Sequence, residues 1–67
     1  MTSKTFGKFV RQQRKYYWPS LEFAAREAGI SKGNLSKIEN GKGDPSLSTI
    51  MKLSEALNFT VNFEGLA

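Results

Sequence analysis

The spacing that most constrains this chain lies between Ser20 and Lys42, SLEFAAREAGISKGNLSKIENGK. Leu21, Ala24, Ala25 and Ala28 recur at intervals of three and four, which gives a helix one apolar face. Gly29 interrupts the pattern, and Ser31 opens a second one just two residues on. Ser20 and Ser31 are both favourable N-caps, because a serine hydroxyl accepts a backbone N–H that the start of a helix leaves unpaired. Glu22 adds a negative charge at the positive end of the first helix dipole. Gly29 suits a left-handed stop, which a side chain would disfavour. So short a connection forces the two helices to cross steeply, and the three alanines let them approach closely. The second helix is left projecting.

In that second helix Leu35 and Ile38, with Ile30 just ahead of them, face inward. Gly33, Ser36, Lys37 and Asn40 lie at i, i+3, i+4 and i+7 on the other side, with Lys32 at the start. Small side chains bring a backbone near the floor of a groove, and lysine donates to guanine O6 and N7. An ordinary solvated face has the same composition, so the spacing alone leaves both readings open. Asn40-Gly41-Lys42-Gly43-Asp44-Pro45 is a loop by composition, and its amides with the Lys42 ammonium suit a phosphate.

The charge distribution adds to this. The net charge is +4, but residues 1–19 hold Lys4, Lys8, Arg11, Arg14 and Lys15 with no acid. Residues 20–43 carry a net +1 and residues 44–67 a net −2. A basic front beside a slightly acidic tail fits a polyanion contacting the front, or a basic face that is merely solvated. With no histidine or cysteine, and no lysine or serine in a nucleophile motif, acid–base and covalent catalysis lack carriers. No enzyme, cofactor or metal site is expected. At 67 residues the chain reads as one domain, which hides only ~60% of the surface its unfolded form exposes. Dimerisation is one way to bury more. No apolar run approaches the ~20 residues that span a bilayer, no signal-peptide core is present, and the lack of cysteine fits a reducing cytoplasm.

Residues 4–17 predict a first helix, with Phe6, Phe9, Val10, Gln13 and Tyr17 on one face and Lys8, Arg11 and Lys15 largely opposite. Thr5 or Ser3 is the expected cap, and Trp18-Pro19 the stop. A basic aromatic helix also suits an anionic membrane surface, but the matching apolar faces elsewhere favour a core role. Asp44 or Ser46 caps a last helix with Pro45 at its first position, and Leu47, Ile50, Met51, Ser54 and Leu57 form its stripe, widened by Leu53 and Ala56. The tail from Asn58 to Glu64 alternates apolar and polar residues, as a half-buried strand does. A lone strand needs a partner edge, so it is expected to pair with its copy and bury Phe59, Val61 and Phe63. A fifth short helix is the competing reading.

Phe6-Gly7, Val10-Arg11 and Arg14-Lys15, then Ser20, Ala25, Gly29-Ile30-Ser31, Leu35-Ser36-Lys37-Ile38-Glu39-Asn40-Gly41-Lys42, Pro45-Ser46-Leu47, Leu53 and Ala56-Leu57 resemble the Cro/repressor-type (XRE) helix-turn-helix family. The resemblance covers about residues 6–57 and is most specific from Ala25 to Leu47. It implies an all-α, lambda-repressor-like domain of four or five short helices over residues 1–67, with the helix-turn-helix at 20–40 and a dimerising tail, as strand or helix, at 58–65. Ser31–Asn40 would be the recognition helix in the major groove. Base contacts would fall on Lys32, Gly33 and Lys37, with Asn34 and Ser36 secondary, and phosphate contacts on Ser20, Asn40, Lys42 and Arg11. Arg14 would pair with Glu39 and lock the first helix to the recognition helix; read from the residues alone, Arg14 is equally a free cation for a phosphate.

Leu21 departs from the glutamine usual in the family, and Gly33 from a common reading side chain. The implied function is a cytoplasmic homodimeric repressor of transcription that binds double-stranded DNA at an inverted repeat. The alternating tail is similar to the dimerising tail of some antitoxin members, so an antitoxin that binds a toxin protein and its own operator is the alternative.

Overall fold

The computed structural model describes residues 2–62. Four helices follow one another: α1 (Ser3–Tyr17), α2 (Leu21–Ala28), α3 (Lys32–Glu39) and α4 (Leu47–Ala56). The fold is all-α. Val10 of α1, Ala24, Ala25 and Ala28 of α2, Leu35 and Ile38 of α3, and Leu53 with Leu57 at the end of α4 form one buried cluster. The alanines let α3 lie close on α2, while α1 crosses α3 from the other side and α4 packs on α2.

The caps follow local chemistry. Ser20, Ser31 and Ser46 each accept the backbone N–H three residues on, at 3.1 Å. Gly29 ends α2 in left-handed conformation (φ 75°, ψ 31°), and the Ile30 N–H reaches back to the Ala25 carbonyl at 3.0 Å. Two expected caps are corrected. Thr2, not Thr5 or Ser3, caps α1, accepting the Thr5 N–H at 3.1 Å. Pro45 precedes the α4 cap rather than opening the helix, because Ser46 keeps the extended backbone that a cap requires. Asp44 instead accepts the Ser3 hydroxyl at 2.9 Å and ties the loop to α1.

The inward polar residue of α1 is explained by the far end of α4. A helix leaves its last carbonyls without intrahelical partners. Here the Gln13 amide donates to the Leu57 carbonyl and the Trp18 indole to the Ala56 carbonyl, each at 3.0 Å. Tyr17, expected inward, is instead exposed, and its hydroxyl accepts from the Asn58 amide at 3.1 Å.

The tail departs from both expectations: residues 59–62 form neither strand nor helix. Asn58 takes positive φ (56°), and the Phe59 N–H bonds the Ser54 carbonyl at 3.0 Å. That is a left-handed helix terminus with asparagine in the place glycine usually fills. It turns Phe59 back onto its own chain, edge-on to Phe9 (centroids 5.0 Å) and Phe6 (6.4 Å). Phe59, expected at a subunit contact, thus packs within its own chain; Val61 is half-buried, and Phe63 lies outside the described residues. Among the described residues no helix is long and apolar enough to cross a membrane.

Candidate nucleic-acid interface

The short α2–α3 turn and the α1 crossing hold α3 so that one side is buried and the other open. Leu35, Ile38 and Glu39 are buried, whereas Lys32, Gly33, Lys37 and Asn40 are exposed and Asn34 and Ser36 are half-buried. Of the candidate base-contact residues, Lys32, Gly33 and Lys37 are accessible, and Asn34 and Ser36 partly so. Nothing stands within 4 Å of where a Gly33 Cβ would be, so the helix backbone is bare there. Among the described residues neither Lys32 nor Lys37 takes part in an ion pair.

The acid on this helix is spent internally. Glu39 is 5% exposed and accepts two bonds from Arg14, Nε to Oε2 at 3.0 Å and Nη2 to Oε1 at 2.9 Å. A fork meeting a carboxylate in this way is the stronger kind of ion pair. Donating to the Glu39 carboxylate holds the Arg14 guanidinium above its ordinary range, against a smaller opposing effect of burial. Arg14 is thus a structural cation rather than one free to meet a phosphate.

Arg11, three residues earlier on the same face of α1, reaches the same end of α3. Its Nε lies 3.4 Å from Glu39 Oε1, and its Nη2 donates to Asn40 Oδ1 at 3.1 Å. Asn40 in turn donates from Nδ2 to the Ser36 carbonyl at 2.9 Å. One carboxylate thus faces two guanidiniums, leaving an excess positive charge at Arg11, whose side chain is 45% exposed. The sequence reading assigned Arg11 to phosphate but missed its two ties to α3. The available signal was the i, i+3 spacing of Arg11 and Arg14, which places both on one helical face.

Lys42 is exposed, and its N–H bonds the Lys37 carbonyl at 2.9 Å. The two lysines border a shallow cleft between α3 and the loop that turns at Gly41 and Gly43. Ser20, at the start of α2, is exposed with its oxygen occupied by the Phe23 N–H and its own proton still available. Lys32, Lys37, Lys42 and Arg11 make this side cationic.

The family described as Helix-turn-helix matches residues 10–63 of the chain. The chain belongs to the helix-turn-helix family. This helix-turn-helix protein is 39% identical, over 64 residues and 94% of its length, to the HTH-type transcriptional repressor RghR of Bacillus subtilis (strain 168), covering 46% of that protein. It is 50% identical over 34 residues, 51% of its length, to an uncharacterised protein of Haemophilus influenzae (strain ATCC 51907 / DSM 11121 / KW20 / Rd), covering 35% of it. The chain thus spans less than half the length of these curated relatives. Its fold is similar to the crystal structure of the restriction-modification controller protein C.AhdI from Aeromonas hydrophila, with a TM-score of 0.81. That similarity covers 87% of this helix-turn-helix chain and 84% of the other, at 29% identity.

Proposed function

We propose that the chain is a sequence-specific regulator of transcription, acting as a homodimeric repressor at an inverted repeat in double-stranded DNA. The observation that carries this reading is the outer side of α3, where Lys32, Gly33 and Lys37 stand exposed while the helix's only acid is buried and neutralised. Placed in a major groove, Lys32 and Lys37 donate to base acceptors, and bare backbone at Gly33 permits close approach. Arg11, Asn40 and Lys42 flank that side and take phosphates, while the Ser20 hydroxyl supplies a further donor. Similarity to RghR, a transcriptional repressor, and to C.AhdI, a controller protein, supports the regulatory reading. The alternating tail motivates the alternative of an antitoxin, which co-purification with a neighbouring gene product tests.

Footprinting on the DNA around the protein's own gene supplies the operator, and fluorescence anisotropy then compares variants. Lys37→Ala should weaken operator binding by about 1–3 kcal/mol and relax preference at one base pair. An equal loss on random duplex would move Lys37 from the bases to the phosphates, and no loss on either would remove it from the interface.

A further inference from the structure

The open side of α3 presents hydrogen-bond donors and few acceptors. Lys32 and Lys37 are exposed, and an ammonium only donates. Glu39, the one carboxylate on the helix, is buried and accepts from Arg14 and Arg11. The Asn40 amide is committed at both ends: its oxygen accepts from Arg11, and its nitrogen donates to the Ser36 carbonyl. What it has left is a second N–H, again a donor. Asp44, across the cleft, accepts the Ser3 hydroxyl of α1 at 2.9 Å. Asn34 is half-buried and lines that cleft with Lys42. The Ser36 hydroxyl either donates or accepts, so it distinguishes no base.

The bases differ in what would match such a surface. In the major groove guanine shows two neighbouring acceptors, N7 and O6, whereas cytosine shows a donor and calls for a carboxylate. Adenine shows a donor beside an acceptor and calls for a free amide, and thymine sets a methyl beside its one acceptor. Guanine is therefore the base that donors alone read best.

Position round the helix adds a second constraint. Lys32 and Lys37 are five residues apart, which is about 140° round the axis and about 7.5 Å along it. Gly33, with nothing where its Cβ would be, and Asn40 fall between them. That rise exceeds the ~3.4 Å between base pairs, so the two lysines address different pairs. Lys37 lines the cleft on the loop side, which leaves Lys32 on the other flank. A helix in the major groove has one strand along each flank, so each lysine meets a different strand.

We infer that each operator half-site is read through two guanines at different base pairs, one on each strand, with Lys32 on one and Lys37 on the other. The inference rests on the DNA-regulator reading above and names what that site selects.

Duplexes enriched by the full wild-type chain from a randomised pool supply the half-site, and fluorescence anisotropy on the enriched duplex tests each guanine. Replacing one guanine with 7-deazaguanine puts C–H where the N7 acceptor was and keeps the base pair. Each such change should weaken wild-type binding about fivefold or more, the low end of what a base contact contributes. Lys37→Ala should lose its sensitivity at one of the two positions and keep it at the other, and Lys32→Ala should show the reverse. The wild-type result on modified DNA stands whether or not either variant folds. An enriched half-site that lacks guanine on either strand overturns the inference and leaves the regulator reading standing. So do modified duplexes bound as tightly as unmodified ones, or folded variants that keep wild-type sensitivity at both positions. A pool from which no sequence is enriched overturns both.

Discussion

Glu39 sits where a carboxylate is costly to bury, and Arg14 makes it tolerable. Removing one member of a buried pair costs about 3–5 kcal/mol, because the other charge is left without compensation. Arg11 remains 3.4 Å from Glu39, which keeps the expected loss for Arg14→Met near the lower end, at about 3 kcal/mol in urea unfolding. An unchanged midpoint would show that the pair does not hold α1 to α3. Since the Glu39 partner raises Arg14 above the ordinary arginine range, on the alkaline side the pair's contribution is lost only as strong alkali passes the folded-state value. Gly33 offers a contrasting test. Nothing lies near its missing side chain, so Gly33→Ala should stabilise the protein by up to about 1 kcal/mol through helix propensity. The same change should weaken operator binding if bare backbone is what the groove requires; calorimetry beside anisotropy separates the two effects. The Arg14–Glu39 pair was legible through the family resemblance. Arg11's ties were not, because residue spacing gives the face of a helix but not which atoms of its neighbour a long side chain reaches.

At the scale of elements, the crossing of α1 over α3 decides how the reading helix is presented. Gly7 lies at that crossing, where an added Cβ would collide with the Ile38 carbonyl oxygen and stand 3.0 Å from that of Glu39. Both obstacles are backbone, so neither can swing aside. Gly7→Ala should therefore destabilise by about 1–3 kcal/mol despite alanine's better helix propensity. It should also lower operator affinity by displacing α3, and a melt identical to wild type would show that the helices part without cost. The helix spans themselves were readable to within a residue or two, because caps and apolar periods act over three or four residues. The tail misled for the same reason: alternation from Asn58 onward matches a strand, but the adjacent helix needed a terminus. Asn58 supplies it, and Phe59 turns back edge-on to Phe6 and Phe9.

For the whole molecule, the charge asymmetry becomes a measurable salt dependence. A dimer that neutralises ~6–10 phosphates should lose ~10³–10⁵ in affinity between about 50 and 200 mM salt, and a flat response would remove the phosphate contacts. The basic front, the α2–α3 turn, the capped helix starts and the all-α architecture could be read from residue order, since each rests on interactions between near neighbours along the chain. Other features required the folded chain: the Gln13 and Trp18 bonds to the end of α4, 44 and 38 positions away, the close approach at Gly7 and the inward turn of Phe59. Those depend on which surfaces meet in three dimensions, and a pairing between distant residues leaves no local pattern in the sequence to announce it.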